Sequence, residues 1–406
     1  MRNVVFAVPF FKETTLRFVR GLTRLEGVRL GLVTQDPREA LPPEIDRALA
    51  GHWRVANALD ETHLLEGVRG VASQMGSVDR LLGTLEQLQV PLGWVRDRLG
   101  IEGMGERAAT NFRDKSTMKS VLRAAGLPCA RHRLATSAAE AIEFVREVGY
   151  PVVAKPPDGA GAKATHRIET EERLRDVLQG IPPSRERPFL FEEFVTGEEH
   201  SFDAVNVGGE TIWHSLSHYA PTPLTVLDNP WIQWTVQVPR EIDDPRYDDI
   251  RAVATKALAT LGMGTGVSHM EWFRRADGSL AISEVGARPP GAQICSLIGY
   301  AHDVDFYEAW GRLAATDRFT KPQRRFSAGA AYLRAQGSGR VSHVAGWEQA
   351  RHELGHLIVE ARLPDPGQPT SGTYEGEGYV ILRHPSTEVV RRALDRLVSR
   401  VRVELS

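Results

Sequence analysis

The run Val267-Ser268-His269-Met270-Glu271-Trp272-Phe273-Arg274-Arg275-Ala276-Asp277-Gly278-Ser279-Leu280-Ala281-Ile282-Ser283-Glu284-Val285-Gly286-Ala287-Arg288 sets two apolar-rich segments on either side of Asp277-Gly278. An Asp-Gly pair in that setting predicts a β-hairpin, because a two-residue type I′ turn needs positive φ at both central residues. With that turn, Arg275 faces Leu280, Phe273 faces Ile282 and Glu271 faces Glu284. Side chains directly opposite one another stand roughly 4.5–5.5 Å apart at Cβ, and like charges there repel. A hard cation with oxygen ligands resolves the conflict, and Mg²⁺ is commonly held by one or two carboxylates together with substrate phosphates. Arg288, four residues beyond Glu284, is placed to meet a phosphate or carboxylate bidentately. The alternative from these residues alone is a solvated hairpin carrying two surface glutamates.

A chain of 406 residues allows two or three domains, each with its own core. The apolar share of 42% and charged share of 25% are those of an ordinary globular protein, and a net charge of −2 gives no electrostatic case for a nucleic acid or membrane partner. Two cysteines, Cys129 and Cys295, are too few for a disulfide framework or a cysteine-based zinc site, so a cytoplasmic location is expected. The apolar run Val4–Phe11 is short and followed by Lys12-Glu13, and it reads as a buried strand, not as a signal peptide. No run approaches the roughly 20 apolar residues that a membrane helix needs.

Residues 3–10 read as a strand, 13–25 as an amphipathic helix (Leu16, Val19, Leu22, Leu25) and 28–34 as a second strand. This β-α-β start predicts a doubly wound α/β domain, assigned to residues 1–112. Helices are expected near 44–50 and 61–75, and 78–100 reads as mainly helical with a break at Pro91. Gly100, Gly103 and Gly105 do not follow a convincing strand and read as a turn, not a dinucleotide loop.

Asp114 is the expected N-cap of a helix that Gly126 and Pro128 close. Lys115 then lies in the first turn, against the helix dipole, which a nearby anion would explain. After a helix at 137–148, an apolar strand ends at Lys155 and is followed by a small-residue loop containing Gly159, Gly161 and Lys163. Such a loop can bring backbone N–H groups against phosphate oxygens, although it lacks the Walker A spacing and an ordinary hairpin loop competes. The strand 188–195 carries Glu192 and Glu193, and a hairpin over 200–218 turns at Gly208-Gly209. Residues 220–240, with Trp231 and Trp234, read as an extended loop beside a pocket, and a helix at 245–261 leads back to the first hairpin.

Lys115, Lys155, the Gly159–Lys163 loop, Glu192-Glu193-Phe194-Val195, Glu199, Glu271, Glu284 and Arg288 stand in the order found in the ATP-grasp superfamily. Residues 113–320 resemble that catalytic core, two α+β subdomains with a nucleotide lid at about 120–192. Residues 321–406 resemble the small α+β C-terminal domain of amino-acid-ligase and biotin-carboxylase-like members. The resemblance implies that Lys115, Lys155 and the loop residues Gly159, Gly161 and Lys163 contact ATP phosphates. It implies that Glu192 accepts from the adenine amino group, that the backbone at Glu193 and Val195 reads the adenine edge, and that Glu199 holds ribose hydroxyls. Glu271 and Glu284 would bind Mg²⁺, with Mn²⁺ as the alternative ion, and Arg288 and Lys155 would stabilise the transferred phosphoryl group. One departure stands out: Gly286 occupies a position where many members have Asn.

The implied activity is ADP-forming ligation of a small carboxylate, an amino acid first of all, to an amine through an acyl phosphate. Activation of formate or bicarbonate and a nucleotide-binding protein without turnover are the other readings. Relatives with this domain plan often dimerise, so a homodimer is compatible with the resemblance. His200, His214, His218, Trp231 and Trp234 are candidates for the same pocket. His352-Glu353-Leu354-Gly355-His356 matches the short H-E-x-x-H zinc motif. A helix over about 346–354 stopped by Gly355 would remove His356 from the helical face that the motif requires.

Overall fold

The computed structural model describes residues 1–158, 165–229, 232–371 and 373–406. Its first layer is a parallel sheet of β1 (Arg2–Val8), β2 (Val28–Thr34), β3 (Leu49–Arg54) and β4 (Arg80–Leu82), in the order β3-β2-β1-β4. Val4 to Val8 and Leu30 to Val33 are unbroken apolar runs apart from Gly31, as strands covered on both faces require. Two of these strands escape the sequence reading. β3 follows directly on the short helix Pro43–Ala48, and β4 interrupts the segment expected to be mainly helical. A strand of three residues carries no measurable alternation, and Pro91 lies in the first turn of the helix Gln89–Leu99, where its missing N–H is harmless. Gly100 ends that helix in the left-handed conformation, so the glycine cluster is a turn, as expected.

The second unit is a four-stranded sheet of β5 (His132–Ala135), β6 (Val152–Lys155), β7 (His166–Ile168) and β8 (Phe189–Glu193), in the order β5-β8-β6-β7. The helices Ala138–Val148 and Glu171–Gly180 supply apolar residues to its core.

The central sheet contains β9 (Glu198–Val207), β10 (Glu210–Ala220), β11 (Trp234–Val238), β12 (Gly266–Arg274), β13 (Leu280–Gly286), β14 (Ser327–Leu333), β16 (Ile358–Arg362) and β17 (Gly378–His384). Its order is β13-β12-β9-β10-β11-β14-β17-β16. Because β14 pairs with β11, the region after residue 321 extends this sheet. A separate pair, β15 (Val341–Ala345) with β18 (Arg402–Leu405), lies beside the helices Trp347–Leu354 and Thr387–Arg400. The segment 220–240, expected as an extended loop, holds the short helix Pro223–Asp228 and β11.

One packed core joins the first layer to the central sheet. Phe18, on the helix Glu13–Thr23, meets Tyr307 and Trp310 edge-on at 4.8 and 4.9 Å between ring centroids. Beside it, Arg17 donates to Ser296 (2.9 Å), Glu360 (3.0 Å) and Tyr379 (3.1 Å), tying the first layer to the last strands. No described helix is long and apolar enough to cross a membrane.

Candidate active site

The hairpin that opened the sequence reading pairs Glu271 with Glu284, as expected, but by a different route. Arg275 N–H donates to Ser279 and Gly278 N–H to Arg275, closing a three-residue loop in which Gly278 has φ +84°. This is a turn with a glycine bulge in place of the two-residue type I′ turn. Arg274 therefore faces Leu280 and Phe273 faces Ala281, which corrects the expected Arg275–Leu280 and Phe273–Ile282 pairs. A second bulge between Glu271 and Trp272, with Ser283 as the extra residue on β13, shifts the ladder back by one. The two offsets cancel at the glutamates.

Both carboxylates line a cleft of about 440 Å³ between the four-stranded sheet and the central sheet. The helix Lys115–Ala124 is capped by Asp114, which accepts from Thr117 N–H at 2.7 Å, and this cap presents Lys115 to the cleft. Lys115 Nζ donates to Glu284 Oε1 at 2.9 Å, so the anion that its position called for is Glu284. Burial pushes the Glu284 carboxyl up, but Lys115 and Lys155 outweigh it and hold its pKa at about 2. Lys155, at the end of β6, stands 3.0 Å from Glu192 Oε2, diagonally across the strand pair. Glu199 is a buried carboxyl raised above its ordinary range by burial and by Glu271.

Arg288 leaves β13 toward the first layer and is paired through Nε with Glu86, a buried residue of the turn Glu86–Leu88. Gly286 makes room for this contact, since a Cβ there would lie 3.3 Å from Glu86 Oε2. The carboxylate of Glu86 thus borders the space that a side chain at position 286 would enter.

Lys115, Lys155, Glu192, Glu193, Val195, Glu199, Glu271, Glu284 and Arg288 all line the one cleft. The Glu193 side chain is spent on Arg131 and Arg275, each at 2.7 Å, which fastens β8 to the hairpin tip. Gly159, Gly161, Lys163 and Trp231 lie outside the described residues. Trp234 reaches the cleft. His200, His214 and His218 do not: His200 packs on Trp272, His214 on Phe202 and His218 beside Tyr247. His356 sits in the 3₁₀ turn Gly355–Leu357, beyond the α-helix that carries His352. Gly355 is the C-cap of that helix, as expected, with right-handed φ/ψ.

Among the cleft residues that escaped the sequence reading are Lys119, His269 and Tyr374. Lys119 lies one helical turn after Lys115, on the same face. His269 stands two residues before Glu271 on one strand face, with Nδ1 2.6 Å from Asp203 and Nε2 3.6 Å from Glu271. Burial lowers its pKa, but Asp203 and Glu271 more than compensate and raise it to about 9. Tyr374 enters from the strap before β17. The first two spacings were visible in the sequence, whereas nothing local marks the third.

Among the described residues no group of three or more His, Cys, Asp or Glu side chains is arranged to hold a metal. The facing carboxylates of Glu271 and Glu284 are of the type that could hold a hard divalent ion taking its remaining ligands from phosphate oxygens and water.

Residues 120–300 match the ATP-grasp domain family. With the fold and the cleft described, the chain carries an ATP-grasp domain over residues 120–300. It is 27% identical over 361 residues to the uncharacterized protein y4rH of Sinorhizobium fredii, covering 86% of this chain and 73% of that one. It is 25% identical over 266 residues to the L-arginine-specific L-amino acid ligase of Bacillus subtilis, covering 64% of this chain and 63% of that enzyme's length. The structure of an L-amino acid ligase from Bacillus licheniformis superposes with a TM-score of 0.80 at 17% identity, covering 100% and 99% of the two chains.

Proposed function

We propose that this protein is an ATP-dependent ligase that activates a small carboxylate, an amino acid first of all, as an acyl phosphate and joins it to an amine, with release of ADP and phosphate. The observation that carries the reading is the convergence of Lys115, Lys155, Arg288 and the Glu271–Glu284 pair on one cleft. A carboxylate is a poor acylating agent because its leaving group would be oxide. Transfer of the γ-phosphoryl group to a carboxylate oxygen gives an acyl phosphate and ADP. The amine then attacks the acyl carbon, phosphate departs with the C–O bond electrons, and the amine loses a proton.

Such a reaction needs positioning and charge neutralisation more than covalent chemistry from the protein. Lys155 and Lys115 bind phosphate oxygens, and Arg288, fixed by Glu86, holds the transferred group or the acyl phosphate. Glu271 and Glu284 hold Mg²⁺, which when bound neutralises charge on the phosphoryl oxygens. Glu192 accepts from the adenine amino group, and Glu199 accepts from ribose hydroxyls. Burial pushes the thiols of Cys129 and Cys295 up, that of Cys295 far up, so no cysteine nucleophile is invoked.

The test is ADP and phosphate release with Mg-ATP over paired amino acids, with formate and bicarbonate in parallel wells. ADP formation that requires an amino acid and rises with an amine is the expected result. Release supported by formate or bicarbonate alone, with amino acids silent, would replace the acyl donor.

A further inference from the structure

Lys119 is a cleft cation to which the reaction above gives no role. Its side chain is wholly buried, a costly place for an ammonium unless it is paired and hydrogen-bonded. Nζ donates to the Ser283 carbonyl at 2.8 Å and stands 3.5 Å from Glu192 Oε1. Ser283 is the bulged residue beside Glu284, so one end of this contact braces the metal-binding hairpin. At the other end, Glu192 has Oε2 held by Lys155, while its buried Oε1 accepts no hydrogen bond among the described residues. A buried charged acceptor short of hydrogen bonds is unfavourable, and among the described residues Oε1 has the Lys119 ammonium at 3.5 Å but no hydrogen bond, which leaves it open to a donor from a ligand. Burial raises the Glu192 carboxyl, but Lys119 and Lys155 outweigh it and keep it below its ordinary range. An ionised carboxylate accepts and cannot donate.

Resting on the reading of this cleft as the nucleotide site, we propose that Lys119 is the positioning residue for base selection. It fixes Glu192 as an acceptor-only carboxylate, so the base must offer a donor there, which a 6-amino purine does and a 6-oxo purine does not. Without Lys119, Glu192 is left with one neighbouring cation. It then takes up a proton, which lets it donate to a 6-oxo group, or turns wholly toward Lys155. Either outcome erodes the discrimination.

The experiment is calorimetric binding of Mg-ADP and Mg-IDP to the full chain as wild type, Lys119→Met, Lys119→Arg and Glu192→Gln. The wild type should prefer ADP, and Lys119→Met should lower that preference by about tenfold, the worth of one hydrogen bond to a charged acceptor. Lys119→Arg, which keeps the charge, should retain most of it. Glu192→Gln should lose it, and adding Lys119→Met to that background should change the ratio no further. If Lys119→Met fails to fold by circular dichroism, Lys119→Gln is measured against the same ratio. A folded variant that weakens both diphosphates equally, or a wild type without preference for ADP, overturns the inference while leaving the nucleotide site in place. A wild type that binds neither diphosphate overturns the nucleotide-site reading itself.

Discussion

Replacing Gly286 by Asn, the residue common at this position in the superfamily, should break the contact that joins the first layer to the cleft. A Cβ at 286 would stand 3.3 Å from Glu86 Oε2 and 3.6 Å from Arg288 Cγ. That is tight but tolerable, because a carboxylate tip can give by a few tenths of an ångström, and Gly286→Ala should cost less than about 0.5 kcal/mol. The amide of Asn reaches further and takes the place of the carboxylate. Removing one partner of a buried ion pair costs about 3–5 kcal/mol. Here Arg288 keeps its 2.9 Å bond to the Pro289 carbonyl, and its side chain is 23% exposed, so the loss is nearer about 2 kcal/mol. Urea unfolding of the ligand-free chain measures it, and a double-mutant cycle locates it. Glu86→Ala should cost a similar amount, and the double variant should cost about 2 kcal/mol less than the sum of the two. Strictly additive losses, or a Gly286→Asn protein as stable as the wild type, would refute the claim that the missing side chain exists to admit Glu86.

Glu284→Gln should lower Mg²⁺-dependent ADP release on the order of 10²-fold with the fold retained, since metal-borne charge stabilisation is worth several kcal/mol; unchanged turnover would remove the metal assignment. Lys155→Ala should weaken ATP binding about tenfold, the loss of one charged hydrogen bond, and an unaltered dissociation constant would contradict its phosphate role. Glu360 accepts from Tyr379 (2.6 Å), Arg17 (3.0 Å) and Tyr300 (3.0 Å). Burial raises its carboxyl, but these partners outweigh that and leave it below its ordinary value of 4.5. Its stabilisation is therefore complete above about pH 4.5 and lost as the pH falls through the depressed value. Glu360→Gln should cost about 1–2 kcal/mol at pH 7 and little in strong acid, and a loss equal at both pH values would count against the ion pair.

Much of this protein is written locally. The β-α-β start, the cap at Asp114, the hairpin around Asp277-Gly278 and the order of lysines and glutamates through the core follow from apolar periodicity and turn chemistry. Each is a property of a few neighbouring residues. The sequence by itself therefore determined that a hairpin carries Glu271 and Glu284 on neighbouring strands and that Lys155 ends a strand; that the two glutamates face one another needed the Ser283 bulge to cancel the offset of the turn.

Only the tertiary structure decided how that pairing is achieved. Ser283 bulges with its carbonyl bound by Lys119, 164 residues away in the chain, and Ile282 N–H donates to Pro128. Bulges of this kind are set by partners from elsewhere in the fold and have no fixed local signature. The same holds for Glu86 in the space left by Gly286, for Lys119 between Ser283 and Glu192, and for β14 joining β11. Each depends on which distant surfaces meet, and burial makes these contacts consequential because a buried charge or carbonyl must find its partner inside the protein.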